Sequence, residues 1–412
     1  MEKFNEWLQK HIVPKAQKFA QNPWVGAISS AFTIILPFIL VSSFISLYGV
    51  LIGYLPEGIA MPNLNRINDY CLGLLSLFIG FLVPYLVMEK KGKGRYAVVA
   101  GLLGVSSFLF ALNAPTVDGI WQLTFGDLGA GGTVVPLLTG LFTAAVFNAW
   151  INVKWLEDSE MPDFIVEWIN GTIPTTFVLM VVFILNNIGF SIPATLSMIL
   201  APLFSFGQSY LGMLVIVFVP AFLYSFGIGT RTTSAFRNPI YFAGIALNVE
   251  LVAQGLQATE IVTFETIHTC ALVCLGGTGG TLMLVVLMCM SKSKRLKALG
   301  RVTIVPSIFN INEPVIYGAP IVFNPLLMIP MWINAILTTT ITYFTMSTGL
   351  LNIPSYVFQA WSLPAPIGAV LATNDFRAIL VWAIVVVVTL LVWYPFFKAY
   401  EKQCLVEEGV SE

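Results

Sequence analysis

Long apolar segments dominate this chain, and short polar stretches separate them. Nine of these segments reach the length of about 20 residues that an α-helix needs to cross a lipid bilayer. They occupy positions 27–52, 71–88, 96–113, 132–152, 173–192, 208–226, 265–290, 321–347 and 377–399. A tenth segment, 238–258, is weaker and contains Glu250, so its hydropathy alone leaves open whether it crosses.

The positions of the basic residues decide this question. If all ten segments cross and both termini are cytoplasmic, every one of the 20 Lys and Arg residues except Arg66 and Arg377 falls on the inner face. That is the asymmetry of the positive-inside rule, and removing one span inverts every loop downstream. We therefore predict an all-α polytopic membrane protein with about ten transmembrane helices.

Two further apolar segments, 302–320 and 350–376, are too interrupted to form continuous helices. Each contains three prolines, which remove amide donors and clash with the preceding turn: Pro306, Pro314 and Pro320 in the first, Pro354, Pro364 and Pro366 in the second. Such segments fit re-entrant hairpins, one entering from each side of the membrane and meeting near its midplane. In transporters, paired broken segments indicate the substrate site.

Glu313, within the first broken segment, is the strongest candidate for a substrate contact. A carboxylate in an apolar segment costs on the order of 3 kcal/mol at the bilayer centre, so it should face a cavity or a partner. Amide and hydroxyl groups cluster around it, at Asn310, Asn312, Tyr317 and Asn324. Carboxylates and amides together suit a polyhydroxylated solute such as a sugar. The alternative is a buried helix cap or an ion pair with Arg301.

Trp361, in the second broken segment, is the next candidate. An indole at the tip of a proline-rich turn offers a flat face on which a sugar ring can stack. The alternative is an anchor at the membrane interface. Five other tryptophans lie near predicted span ends and are assigned to an aromatic belt: Trp121, Trp150, Trp155, Trp168 and Trp393.

Three other motifs have weaker interpretations. Arg231 and Arg237, in the loop 227–239, either face a phosphorylated partner or product or are ordinary inner-face flanks. The glycine run 276–280 most simply permits close helix packing or a kink. Glu265 and His268 resemble half of a di-metal motif without its second half, so a helix-end hydrogen bond is the better interpretation.

The composition excludes several classes of protein. With 57% hydrophobic and 10% charged residues, the chain is too apolar for a water-soluble fold, and its net charge of −1 argues against a nucleic-acid partner. Five cysteines without a CxxC pair and only two histidines predict no disulfide, metal or cofactor. The chain also lacks the dyad of a nucleophilic serine, cysteine or aspartate and a nearby base that an intramembrane hydrolase needs. The N-terminal pattern predicts an amphipathic helix on the inner membrane face rather than a signal peptide, with Phe4, Trp7, Leu8 and Ile12 on its apolar side.

The segment SIFNINEPVIYGAPIVFNP, at 307–325, resembles enzyme IIC, the membrane permease of the lactose, cellobiose and chitobiose family in the bacterial phosphoenolpyruvate-dependent sugar phosphotransferase system. Its core NINEPVIYG is highly specific. Further similarity lies in SLPAPIGAVLATNDFRAIL, WYPFFKAYEKQ, KGKGRYAVVAGLLGVSSFLF and MPDFIVEWINGTIP, so the resemblance touches almost the whole chain.

The resemblance implies an architecture and partners. An N-terminal scaffold half, 1–200, forms a homodimer, and a transport half, 201–412, contains both hairpins and the sugar. Glu313 contacts the sugar hydroxyl that is later phosphorylated, and Trp361 stacks on a ring. The phosphoryl donor is a cysteine on a separate IIB protein, supplied by IIA and the histidine-containing carrier, and none of the five cysteines here has that role.

Departures from the family pattern concern the sugar site. Where the family usually has Phe-Gly-Ile-His-Gly, this chain has Phe226 to Thr230, so Gly229 stands where a histidine is expected, and Tyr224 replaces a tryptophan. The family's Ala-Ile-Arg-Asp-Gly becomes residues 27–31, AISSA. Replacing an imidazole with glycine deletes a hydrogen-bonding group and opens volume, which changes either which sugar fits or whether phosphorylation is supported. The predicted substrate-binding set is Glu313, Asn312, Asn310, Trp361, Tyr224, Gly229, Thr230 and Arg231.

We therefore expect a multi-pass permease of the bacterial inner membrane, with cytoplasmic termini, that binds a mono- or disaccharide, cellobiose-like or another, and moves it inward for phosphorylation by IIB. The missing histidine motivates an alternative: a degenerate, non-transporting paralogue that acts as a membrane sensor or assembly partner.

Overall fold

The computed structural model describes residues 22–52, 62–123, 125–129, 132–154, 160–319 and 321–409. Almost all of the regular structure is helical, as the apolar pattern predicts. The amphipathic helix predicted at the N-terminus lies outside the described residues, as does Trp155.

Among the described residues, the first part of the chain forms eight α-helices and one minimal strand pair. The helices are α1 Pro23–Ile34, α2 Leu36–Ile52, α3 Asn65–Cys71, α4 Leu75–Lys90, α5 Ala97–Leu112, α6 Phe125–Leu128, α7 Val134–Ile151 and α8 Asp163–Asn187. The strands β1 Thr116–Val117 and β2 Ile120–Trp121 pair antiparallel. Helix α4 packs against α5 and α7. A Cβ at Gly104 on α5 would collide with the Gly80 carbonyl on α4, so glycine at this contact lets the two helices approach closely.

The remaining helices adjoin the two proline-rich segments or form part of them. They are α9 Ile192–Gln208, α10 Tyr210–Tyr224, α11 Ser234–Ala253, α12 Leu282–Cys289, α13 Lys294–Ile308, α14 Glu313–Gly318, α15 Pro325–Ser347, α16 Ala365–Thr373 and α17 Ala378–Glu407. A 3₁₀ turn, Thr230–Thr233, leads into α11, and a single π-helical turn spans Glu265–Thr269. The largest apolar core lies among these later helices, while α1 joins the earlier helices to α11 through the stacked rings of Phe32 and Phe242.

The helix lengths support a polytopic membrane protein. Within the described residues, seven helices are long and apolar enough to cross a membrane, and the pair α9 and α10, bent by 77°, counts as an eighth if it forms one span. The weak segment predicted at 238–258 is largely helical, as part of α11, but is not among these seven. The count of ten therefore stays a prediction.

The predicted membrane helix at 265–290 is wrong as a continuous element. After the π turn, the backbone from Cys270 to Thr281 is irregular, and a helix resumes only at Leu282. Four glycines, Gly276, Gly277, Gly279 and Gly280, have positive φ angles that a right-handed helix does not allow. The glycine run therefore breaks the helix completely, which is more than the predicted kink.

Both broken segments adopt the interrupted conformation that their prolines predict. In the first, α13 ends at Ile308, a turn covers Phe309–Asn312, and α14 begins at Glu313. In the second, the backbone is not helical from Leu351 to Pro364, and α16 begins at Ala365. Neither is a continuous helix of membrane-spanning length.

The basic loop between α12 and α13 is held by the end of α17. Glu401 accepts hydrogen bonds from the Ser291 hydroxyl at 2.6 Å and the Lys292 amide at 2.8 Å. Glu408 accepts one from the Ser293 hydroxyl at 2.6 Å and others from the first amides of α13. Glu408 thus caps the N-terminus of α13, where the helix dipole favours negative charge, and Glu401 holds the loop before it.

The tryptophans separate into two groups. Trp121 and Trp168 are more than 60% exposed, in keeping with positions at an interface. Trp393 is fully buried, and its Nε1 donates to the Gly280 carbonyl at 2.8 Å. Its assignment to the aromatic belt is therefore wrong, because the broken backbone at Gly280 leaves a carbonyl that needs an internal donor.

Candidate functional site

The tip of the first hairpin is built around Asn310. This residue has a left-handed backbone, with φ of 63°, which asparagine adopts more readily than most residues. Its side-chain amide donates to the carbonyls of Trp361 at 3.1 Å and Leu363 at 2.8 Å, and its Oδ1 accepts from the Gly276 amide at 3.1 Å. One side chain thus joins both hairpin tips to the glycine run, and the predicted meeting of the tips is confirmed.

Asn312 fixes the hairpin tip from the other side. It is 4% exposed, and its Nδ2 donates to the Thr278 carbonyl at 2.9 Å and the Thr281 hydroxyl at 3.2 Å. A Cβ at Gly277 would collide with the Asn312 amide, so glycine is required there. The two asparagines that sequence reasoning placed in the substrate site therefore also hold its framework together.

Glu313 begins α14 directly after this framework. The side chain is exposed, and within the described residues it forms neither an ion pair nor a hydrogen bond. Arg301, the alternative partner, does not pair with it, and exposure excludes a buried cap. Asn324, predicted nearby, instead caps α15 by accepting a bond from the Leu326 amide at 3.1 Å.

A cavity of about 270 Å³ lies against these tips. Six of the eight predicted site residues line it: Glu313, Asn312, Asn310, Trp361, Tyr224 and Thr230. Gly229 is not part of the lining, and a Cβ there would meet no atom within 4 Å. The side chain of Arg231 lies outside the described part of the chain.

Aromatic groups form part of the cavity wall. Trp361 lies at the second hairpin tip and is 37% exposed. Tyr224, at the end of α10, is buried and meets Tyr317 edge to face with ring centroids 6.3 Å apart. The cavity therefore combines a free carboxylate with aromatic faces, the two kinds of group that recognise a sugar's hydroxyls and its apolar ring surface.

Two ionisable lining residues, His268 and Arg237, are absent from the substrate-binding set predicted from the sequence. His268, on the π-helical turn, packs against Phe264 and Tyr241 with centroid distances of 4.7 and 6.0 Å and also lines the cavity. Arg237, on α11, lines it too. An ionisable residue within an apolar segment was the available signal for His268. For Arg237, the sequence left two interpretations open: a residue that faces a phosphorylated partner or product, or an ordinary inner-face flank.

The carboxylate of the neighbouring Glu265, at the first position of the π-helical turn, also bonds to the backbone of the second broken segment. Its Oε1 accepts from the Phe358 amide at 3.1 Å, and the Thr269 hydroxyl donates to the Phe358 carbonyl at 2.7 Å. The π-helical turn is thereby fastened to the backbone that leads to Trp361. These bonds fix the second hairpin relative to the wall that contains His268.

An all-helical protein with several membrane-length helices and two broken segments meeting at a polar cavity is a membrane transport protein. The family model for the phosphotransferase system, EIIC, matches residues 29–335, and the chain belongs to this family. It is therefore an integral membrane component of a sugar transporter, as the resemblance implies.

Several relatives are similar along their length. The lactose-specific EIICB component of Staphylococcus epidermidis is 28% identical, over 99% of this chain and 72% of that protein. Two Bacillus subtilis proteins, the oligo-beta-mannoside-specific EIIC component and the lichenan permease IIC component, are 27% and 28% identical and are covered over 95% and 97% of their lengths.

A solved structure shows the same fold. The crystal structure of the transporter ChbC, the IIC component from the N,N'-diacetylchitobiose-specific phosphotransferase system, matches with a TM-score of 0.87 and 24% identity. The match covers 98% of this chain and 100% of that one. The predicted all-α polytopic fold is confirmed.

Proposed function

We propose that this permease binds a disaccharide in the cavity between the hairpin tips and carries it inward for phosphorylation. The observation that supports this most directly is that Glu313 and Trp361 face the same cavity. They come from different hairpins, and both line one cavity. A carboxylate without a protein partner among the described residues can accept bonds from adjacent sugar hydroxyls, while the indole covers a ring face.

The framework gives the other predicted residues distinct roles. Asn310 and Asn312 commit their amide donors to backbone and hydroxyl acceptors, so they position Glu313 and Trp361 in addition to any contact with sugar. Tyr224 and Thr230 add hydroxyl groups to the cavity lining. Gly229 precedes Thr230, which lines the cavity, and a Cβ at Gly229 would meet no atom within 4 Å, so the missing imidazole leaves space beside the site.

The relatives support a di- or oligosaccharide over a monosaccharide. Their names refer to lactose, oligo-β-mannosides and lichenan. Partners follow from the same comparison: an IIB domain, which the EIICB relatives carry in the same chain, and the IIA protein that supplies it. We place the chain in the bacterial inner membrane with cytoplasmic termini.

The two halves complete the proposal. Residues 1–200 form the scaffold through which two copies associate, and residues 201–412 form the half that moves with the sugar. The sensor alternative, motivated by Gly229, has no supporting observation among the described residues.

Binding to purified protein tests the site. We expect Glu313→Gln to abolish binding in a screen of cellobiose, lactose and other disaccharides, and Trp361→Ala to weaken it strongly. Glu250→Gln is the matched control, because Glu250 is exposed on α11 and its carboxylate accepts a hydrogen bond from the Gln254 side chain one helical turn away, at 3.2 Å. Unchanged binding by Glu313→Gln overturns the site assignment.

Uptake separates permease from sensor. Labelled disaccharide should accumulate as its phosphate in membrane vesicles that contain this protein and a phosphorylated IIB partner. Binding without any uptake or phosphorylation contradicts the transport function and favours the sensor.

A further inference from the structure

Arg237 lies in the cavity wall without an anionic partner among the described residues, whereas three other arginines have one. Arg95, Arg295 and Arg377 each form an ion pair with a carboxylate, at 3.3, 3.3 and 2.8 Å. Across the described ranges, no carboxylate lies within 4.0 Å of the Arg237 guanidinium. A partly buried cation without a counter-charge is costly, so this position needs a reason.

The protein does hold the Arg237 guanidinium in place. One terminal nitrogen donates to the Thr230 carbonyl at 3.0 Å, the other reaches the Tyr241 hydroxyl at 3.5 Å, and the Tyr241 ring lies 6.0 Å from the guanidinium carbon. The Nε–H is buried and has no hydrogen-bond partner among the described groups. A guanidinium has five N–H donors, so these contacts orient it and leave most of its donors unused.

Polar groups surround the guanidinium along the same wall. Thr230, Ser234 and Asn238 come from the turn and helix that contain Arg237, and all three line the cavity. His268 and Cys274 line the same cavity. Glu313 lines the same cavity from the first hairpin, so a ligand there meets a carboxylate on one element and a cation on another.

We propose that Arg237 is the centre of an anion subsite that binds the phosphoryl group of a sugar phosphate. This inference rests on the proposed function, because a sugar phosphorylated while bound presents its phosphoryl group inside the cavity. Guanidinium groups bind phosphate through paired, charge-assisted hydrogen bonds, and neighbouring hydroxyl and amide groups donate to the remaining oxygens. Glu313 binds the free sugar, and Arg237 the phosphorylated form.

The test compares a neutral and a phosphorylated ligand on the purified, full-length protein. The probes are cellobiose, cellobiose 6′-phosphate and inorganic phosphate. We expect Arg237→Gln to weaken binding of cellobiose 6′-phosphate by about tenfold or more beyond any effect on cellobiose, the value of one lost charge-assisted hydrogen bond. Arg95→Gln, which removes an arginine already paired at the surface, is the control and should change neither.

Other outcomes have defined meanings. The subsite is overturned if Arg237→Gln binds the sugar phosphate like the wild type. It is also overturned if Arg237→Gln and Arg237→Lys each lose both ligands equally. Arg237→Lys keeps the charge, so recovery of sugar phosphate binding in that variant supports it. If Glu313→Gln leaves cellobiose binding intact, the proposed sugar site fails, yet Arg237-dependent binding of inorganic phosphate still supports the anion subsite.

Discussion

The side-chain amide of Asn310 donates a hydrogen bond to the carbonyl oxygen of Leu363 at 2.8 Å, across 53 positions of sequence. A second bond from the same nitrogen reaches the Trp361 carbonyl. The tip that presents Glu313 and the tip that presents Trp361 are thus joined directly. Relative movement of the hairpins requires these bonds to break.

Removal of the Asn310 side chain should therefore loosen the site. Asn310→Gly keeps the left-handed backbone accessible and deletes three hydrogen bonds, each worth about 1 kcal/mol net. We expect a lower melting temperature and weaker disaccharide binding in detergent solution. Asn113→Gly is the control, since Asn113 also has a positive φ, of 49°, but is exposed. Equal melting temperatures for the two variants would contradict the role of Asn310.

Much of this arrangement could be predicted from the sequence, for identifiable reasons. Clustered prolines indicate helix breaks, so the interrupted segments around Pro314 and Pro364 were recognisable, whereas isolated prolines such as Pro84 and Pro330 lie inside helices. A lone carboxylate in apolar surroundings is equally direct, which is why Glu313 was identified. Both signals are local, and each depends on a single residue type in a known context.

The missed features depend on distant contacts. Hydropathy assigned 265–290 to a helix because it registers apolar side chains and not the backbone angles of Gly276 to Gly280. Trp393 was misplaced for the same reason, since its partner is the carbonyl of Gly280, 113 positions away. Arg237 enters the cavity through the packing of α11, which no local pattern specifies.

Gly227 and Gly229 should respond differently to an added methyl group. Gly227 has a φ of 77°, where a side chain is strained, and a methyl group added there would lie 3.4 Å from Val322, whereas one added at Gly229 would meet open space. We expect Gly227→Ala to lower the free energy of unfolding by about 1–2 kcal/mol and Gly229→Ala to change it by less than about 0.5 kcal/mol. Thermal unfolding of both variants checks this, and similar losses would refute it.

Trp393 should be important for stability although it lies outside the site. Trp393→Phe leaves the Gly280 carbonyl without its donor in a fully buried position, which costs about 1–3 kcal/mol. Trp168→Phe is the control, because Trp168 is 68% exposed. We expect only the first variant to unfold at a clearly lower temperature or denaturant concentration. A Trp393→Phe protein as stable as Trp168→Phe would show that the bond contributes nothing.

The hydrogen bonds that Glu408 accepts should make the N-terminal end of α13 sensitive to acid. The Ser293 hydroxyl, followed by the Arg295 and Lys294 amides, lowers the pKa of Glu408 below its ordinary value. Stabilisation by this carboxylate is complete above the unfolded-state pKa of about 4.3 and is lost as pH falls through the lower folded-state pKa. Glu408→Gln should therefore speed amide exchange at Lys294 and Arg295 at pH 7, and the difference from wild type should vanish near the folded-state pKa. Glu407→Gln is the control, since Glu407 forms an exposed pair with Arg295. A difference that persists unchanged into acid would show that the carboxylate charge is not what holds the helix end.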